Sequence, residues 1–131
     1  MDKIRFGIVG CGVISPHHAR AIQAVEDAEL VACCDIIPER AEKLASEHGA
    51  PKVYTSYEEL VSDPDIDAVS VCTPSGLHRD HAALAMQSGR NVICEKPMEI
   101  RLDKIDQMIE MADKCKVKLA GIFQNRWNAA N

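Results

Sequence analysis

Residues 3–15 read KIRFGIVGCGVIS, and the fold follows from the way this stretch changes character. Ile4, Phe6, Ile8 and Val9 form an apolar, β-rich run that ends in Gly10-Cys11-Gly12-Val13-Ile14-Ser15. Beyond the glycines, Ile14, His18, Ala21, Ile22 and Val25 fall at the spacing of one helix face. Strand, glycine turn and helix make the geometry that carries a pyrophosphate. The first glycine permits a tight turn and the second lets a diphosphate approach the backbone. The helix N-terminus supplies unpaired N–H groups and a partial positive charge. The third position of this pattern, normally Gly or Ala for close packing of helix on strand, is Ser15. A plain βα turn also uses glycine, so the loop alone leaves nucleotide binding open.

Working outward, residues 29–35 (ELVACCD) read as a second strand ending in a carboxylate. Pro38 opens a helix with Ala41, Leu44, Ala45 and His48 on one face, and Gly49 closes it. A short strand over residues 52–54 follows. Ser56 and Glu59 have capping-box spacing, which starts a brief helix. Residues 68–72 read as a buried strand stopped by Thr73-Pro74. Leu77, His81, Leu84 and Ala85 mark the next helix, which ends before Gly89. Residues 91–94 form a fifth strand halted at Glu95-Lys96-Pro97. Leu102, Ile105, Ile109 and Ala112 line a fifth helix, and residues 117–120 make a sixth strand. Six strands alternating with helices through short connections predict a doubly wound α/β domain with a mostly parallel sheet covered on both faces.

The 131 residues are the size of one domain, and a net charge of −5 with no run of Lys or Arg argues against a nucleic-acid surface. No apolar stretch approaches the roughly 18 residues of a membrane span, and the charged N-terminus lacks the apolar core of a signal peptide, so a cytoplasmic protein is expected. The six cysteines include no C-x-x-C, and Cys33, Cys34, Cys72 and Cys94 lie in strand-like runs, where a thiol behaves as a small core hydrophobe. Cys11 differs, because a thiolate is favoured near a helix N-terminus, although packing serves it equally. Adjacent His17 and His18 point apart on a helix, so no metal is expected.

Ligands of such a sheet bind outside the carboxyl ends of the strands, where four polar or glycine-rich turns converge here: residues 10–15, Asp35, residues 73–78 and residues 95–97. Asp35 lies about 25 residues after Gly10, near the spacing of a carboxylate that binds the adenosine ribose hydroxyls. It would repel a 2′-phosphate, and Ile36 and Ile37 supply no counter-charge, which favours NAD over NADP. Arg40 is placed either to stack on adenine or to reach a phosphate, or to sit solvated beside Glu39 and Glu42. Pro74 stops the strand ladder and Gly76 permits close backbone approach, so this turn borders a nicotinamide ribose or is a plain turn. Lys96 follows a buried strand directly, where a lysine is either a proton-transfer group or simply solvated.

Together these residues resemble the glucose–fructose oxidoreductase, inositol dehydrogenase and MocA family (GFO/IDH/MocA). The resemblance covers nearly the whole chain. It rests on FGIVGCGVIS, on Asp35 with Pro38-Glu39-Arg40-Ala41, on CTPSGLH (residues 72–78), on Glu95-Lys96-Pro97 and on GIFQNRW (residues 121–127). It implies NAD(P)-dependent oxidation of a hydroxyl, or reduction of a carbonyl, on a sugar, cyclitol or related polyol. Gly10, Gly12, Val13 and Ile14 would then hold the pyrophosphate, with Asp35, Ile36 and Arg40 at the adenosine end. Thr73, Pro74 and His78 would lie beside the nicotinamide half. Glu95 and Lys96 would sit where nicotinamide meets substrate, with Lys96 as the catalytic residue that helps the proton move. Gln124, Asn125 and Arg126 would line the entry to the substrate site, and this Q-N-R stretch is similar to members acting on nucleotide-linked amino sugars.

The resemblance also implies residues 1–122 as the NAD(P)-binding Rossmann domain and residues 123–131 as the start of a crossing segment. Family members continue into a second domain that carries most substrate contacts and usually the homo-oligomer interface. The expectation is therefore a fragment of a longer protein that binds NAD but does not turn over by itself. Two other classes compete with this one: a non-catalytic module that senses nicotinamide nucleotides, which needs Gly12 and Asp35 but not Lys96, and an S-adenosylmethionine methyltransferase, whose loop is not built around a diphosphate.

Overall fold

A computed structural model describes residues 2–129. Met1 of the expected Rossmann domain, and Ala130 and Asn131 of the expected crossing segment, lie outside the described residues. The elements alternate as β1 (Ile4–Val9), α1 (Ser15–Gln23), β2 (Ala28–Cys34), α2 (Pro38–His48), β3 (Lys52–Tyr54) and α3 (Tyr57–Ser62). They continue as β4 (Ala68–Val71), α4 (His78–Gln87), β5 (Asn91–Cys94), α5 (Leu102–Cys115) and β6 (Leu119–Gly121). Short 3-10 turns occupy Ser75–Leu77 and Gln124–Trp127. All strand pairs are parallel, in the order β3-β2-β1-β4-β5-β6. The chain therefore winds outward twice from the β1/β4 junction, which is the doubly wound Rossmann arrangement.

Alternation along the strands builds two layers. Ile8 and Cys33 face one side with Ala19 and Ile22 of α1 and Ala41, Leu44 and Ala45 of α2. Val9, Val69, Val71, Val92 and Cys94 face the other, under Leu60 of α3, Ala82, Ala85 and Met86 of α4, and Met108 and Ala112 of α5. Local signals match these elements. Pro38 sits in the first turn of α2, and Gly49 caps its end at φ 69°. The Ser56 hydroxyl accepts from the Glu59 amide at 3.3 Å, as the capping-box spacing predicts.

Three helix faces differ from expectation. On α1 the buried residues are Ser15, Ala19 and Ile22, whereas Val25 is exposed and, with Ile14 and Ala21, lines a groove of about 590 Å³ also bounded by Phe6, Ile93 and Ile122. The apolar stripe of α1 thus borders the β4–β6 half of its sheet face, where an open groove runs. On α4 the sheet-facing residues are His78, Ala82, Ala85 and Met86, with Leu77 exposed. On α5 they are Met108 and Ala112, with Leu102 and Ile109 exposed. Small Ala and pliant Met let these helices lie close to the strands, which simple apolar spacing does not anticipate.

Candidate functional site

The site is assembled from turns at the carboxyl edge of the sheet, and specific contacts bind those turns together. Gly10 follows β1 at φ 85°, and a Cβ there would lie 2.7 Å from the carbonyl carbon of Cys72 and 2.8 Å from the amide of Thr73. The turn after β1 is therefore pressed against the end of β4, and glycine is required on both conformational and steric grounds. Gly12 is different. It has no left-handed φ, and a Cβ there would meet no heavy atom within 4 Å. Among the described residues the amides of Gly12, Val13 and Ile14 donate to no acceptor, while Ser15 and His17 amides bond back to the carbonyls of Gly12 and Ile14 at 3.2 and 3.0 Å. These free donors, at the mouth of a helix with no acidic residue in its first turn, suit an anionic group.

Asp35 ties this loop to the end of β2. Its Oδ2 accepts from the Cys11 amide at 2.8 Å and its Oδ1 from the Ile37 amide at 2.8 Å. The residue is buried, but an ionised carboxylate offers about four lone-pair directions, so the two amides leave capacity for ligand hydroxyls. Ile36 beside it is 88% exposed, and Arg40 is exposed on the first turn of α2. The Cys11 thiol is buried and donates to the Cys34 carbonyl at 3.3 Å. The adjoining Cys33 thiol and burial push it well above the ordinary thiol range, so a helix-stabilised thiolate is disfavoured and packing is its role. All six cysteines are free. Among the described residues no three His, Cys, Asp or Glu side chains gather as a metal site, and no helix is long and apolar enough to cross a membrane.

The turn after β4 is held from behind. The Thr73 hydroxyl bonds to Nδ1 of His81 at 2.8 Å. Burial lowers the pKa of His81, which favours the neutral ring and lets that nitrogen accept. Tyr57 packs edge-on against His81, with ring centroids 4.9 Å apart, and its hydroxyl donates to the His81 carbonyl. His78, expected beside the nicotinamide half, is instead 1% exposed with both ring nitrogens engaged: Nε2 faces the Thr73 carbonyl at 2.6 Å and Nδ1 the Pro97 carbonyl at 2.8 Å. Its ring is a strut between two turns and is closed off from a ligand. Glu99, also buried, accepts from the amides of Arg79 and Ile100 at 3.1 and 2.7 Å and so fixes the far end of the loop after β5.

Glu95 likewise points inward. Its Oε2 accepts from the Lys96 amide at 3.0 Å, and its Oε1 lies 2.7 Å from Nε2 of His18, whose Nδ1 is 2.5 Å from the Ser70 hydroxyl. Lys96 itself is exposed and lines a cleft of about 360 Å³ with Pro97, Phe123, Gln124 and Asn125. The structure thus brings Lys96, Gln124 and Asn125 to one cleft. Arg126 lies over the Trp127 ring, 5.8 Å from its centroid. Sequence reasoning passed over His18, Ser70, His81 and Glu99 as participants. His18 is 52 residues from Ser70 and 77 from Glu95, and no local pattern signals such a pairing.

Residues 4–123 match the profile of the oxidoreductase family with an NAD-binding Rossmann fold, GFO/IDH/MocA. The myo-inositol 2-dehydrogenase of Thermotoga maritima is 33% identical over 125 residues, covering 95% of this chain and 37% of that protein. The WlbA dehydrogenase of Bordetella pertussis, solved in complex with NADH and UDP-GlcNAcA, superposes with a TM-score of 0.91 at 41% identity, covering 97% of this chain and 39% of that one. The scyllo-inositol dehydrogenase of Lactobacillus casei, solved with NAD(H) and scyllo-inositol, gives 0.89 at 28% identity, covering 97% and 38%. This chain therefore spans under two-fifths of the length of these relatives. With its β1 glycine turn, its parallel sheet and this coverage, the chain belongs to the GFO/IDH/MocA family of oxidoreductases and carries their NAD-binding Rossmann fold.

Proposed function

We propose that this chain is the dinucleotide-binding domain of an NAD-dependent oxidoreductase acting on a hydroxyl or carbonyl of a sugar or cyclitol, with a nucleotide-linked sugar the favoured substrate. The observation that carries the binding reading is the glycine turn, where three free amides lie under open space at Gly12 and a buried carboxylate stands beside them. The pyrophosphate fits the amides of Gly12, Val13 and Ile14, with Gly10 keeping the turn tight. The adenosine ribose fits Asp35, whose charge disfavours a 2′-phosphate, with Ile36 and Arg40 flanking it. Thr73 and Pro74 border the nicotinamide half. When bound, the nicotinamide supplies or accepts the hydride.

The chain's own groups supply position and a proton path. Lys96 Nζ, the catalytic residue in this reading, holds or takes the proton of the reacting hydroxyl, while Gln124 and Asn125 offer hydrogen bonds across the cleft. Preference for a nucleotide-linked sugar rests on the WlbA enzymes of Bordetella pertussis and Chromobacterium violaceum, at 41% and 36% identity, both solved with NADH and UDP-GlcNAcA. These relatives give a non-catalytic sensor no support. Fluorescence titration with NADH and NADPH tests the binding reading: saturable NADH binding, tighter than NADPH, is expected. Equal affinities would overturn the cofactor preference, and no binding of either would overturn the domain assignment.

A further inference from the structure

Lys96 stands on a turn that two histidines grip from opposite layers of the protein. From α1, on one face of the sheet, His18 reaches Glu95 at 2.7 Å, and Glu95 in turn receives the Lys96 amide at 3.0 Å. From α4, on the other face, His78 reaches the Pro97 carbonyl at 2.8 Å. The residues immediately before and after Lys96 are each held by a ring. We propose that His18 and His78 are positioning residues that together aim Lys96, a role that rests on the proposed part of Lys96 in proton transfer.

The chemistry of each grip is defined by its partners. The Ser70 hydroxyl and the Glu95 carboxylate bracket His18. A ring that accepts from Ser70 at Nδ1 and donates to Glu95 from Nε2 satisfies all three groups at once. His18 side-chain exposure is 10% and that of Glu95 is 11%, so little water competes. His78 faces two carbonyl oxygens, which only accept, and a ring N–H aimed at the Pro97 carbonyl ties α4 to the turn that carries Lys96. Its second bond, to the Thr73 carbonyl, makes the turns after β4 and β5 one rigid unit. His18 also sits on the helix that opens with the proposed pyrophosphate turn, so the same contact fixes Lys96 relative to the cofactor loop. A lysine side chain has four rotatable bonds, and fixing its backbone origin is what a short turn can do to direct it.

The test uses NMR on the 131-residue chain and two substitutions that separate hydrogen bonding from packing. Glutamine places a donor where Nε2 of His18 meets Glu95, whereas asparagine reaches only the Ser70 side. In His18→Ala and His18→Asn, hydrogen exchange of the Lys96 amide is expected to quicken about ten-fold or more, while core amides of Val69 and Val92 change less than about two-fold; His18→Gln is expected to restore slow exchange. For His78, a slowly exchanging Nδ1 proton is expected in the unmodified chain. An unchanged Lys96 amide in His18→Asn, or equal behaviour of the Gln and Asn variants, would overturn the His18 grip. Absence of a slowly exchanging Nδ1 proton would overturn that of His78. NADH titration of the same samples separates this inference from the functional reading. A wild-type chain that fails to bind NADH sinks the cofactor assignment and leaves the grip standing, and normal NADH binding with an indifferent Lys96 amide does the reverse.

Discussion

Replacing Gly12 with valine separates what the glycine turn does for the fold from what it does for a ligand. A Cβ at residue 12 meets nothing within 4 Å, and the residue does not occupy the left-handed region, so the fold has room for a side chain. Such a surface change typically costs within about 0.5 kcal/mol, or roughly 2 °C of Tm for a domain this size. Binding is another matter. The valine would fill the space in front of the amides of residues 12–14, and each amide–phosphate hydrogen bond contributes about 1.5–3 kcal/mol. Losing two of them removes at least about 3 kcal/mol, more than a hundred-fold in Kd. Gly10→Ala is the control that should behave oppositely. Its Cβ would sit 2.7 Å from backbone at φ 85°, so about 2–4 kcal/mol of stability is forfeited through strain and displacement of Cys72. Circular-dichroism melts and NADH fluorescence titrations of both variants give the answer. A Gly12→Val chain that binds NADH within about three-fold of wild type would refute the placement of the pyrophosphate, since a bond lost there cannot cost so little. A large fall in its Tm would refute the reading of Gly12 as a ligand position.

Two further perturbations follow from the electrostatics. Asp35→Asn leaves one acceptor oxygen for two amides and turns an NH₂ toward the other, so urea denaturation should show a loss of about 1–3 kcal/mol while the NADH-over-NADPH preference narrows. An unchanged preference would detach Asp35 from cofactor choice. At Asp63, burial pushes the carboxyl up, but hydrogen bonds from Lys52, Tyr54 and the Asp65 amide outweigh it and hold the group at about 2. Its folded value lies below its ordinary 3.8, so its stabilisation is complete above about pH 4 and lost as pH falls toward 2. Asp63→Asn should flatten the thermal stability profile across that window, and an unaltered acid slope would contradict the assignment.

The order of the elements was legible because each has a local cause: β-rich runs, the Pro38 start, the Gly49 stop and the Ser56 cap. The helix faces were less so. Apolar spacing on α1 picked out Ile14, Ala21 and Val25, which border an open groove, because the spacing records hydrophobicity and not which neighbour covers it. On α4 the buried face runs through His78 and two alanines, whose modest apolar character hides close packing. At the candidate site, the glycines, Asp35 and Lys96 announced themselves through strand-end position. His78 enters as a ligand neighbour only through the family resemblance, and the fold reveals that two carbonyls consume its ring. His18 and Ser70 were invisible for the complementary reason, since their chemistry exists only once α1 crosses over β4.

The distribution of buried polar groups argues that the carboxyl edge was built for something other than stability. Apart from Ser15, Asp35 and Asp63, the rest of the interior is made of Val, Ile, Leu, Ala, Met and Cys, whereas Ser70, His18, Glu95, His78 and Glu99 gather behind the turns that follow β4 and β5. Replacing a buried polar cluster with well-packed apolar side chains is often neutral or stabilising, so such a cluster is weak support for a fold. Each member here is nonetheless satisfied, and among the described residues no buried side-chain nitrogen or oxygen lacks a partner. Glu95 and His78 carry the network to Lys96 and its two neighbours and to the turn at Thr73, while Glu99 holds the amides of Arg79 and Ile100. A network of that kind defines direction, because hydrogen bonds fix orientation where apolar contacts only fill space. In the proposed reading the exposed Lys96 meets a ligand held by the turn that opens α1, and the network puts the demand for precision in buried residues behind the cleft.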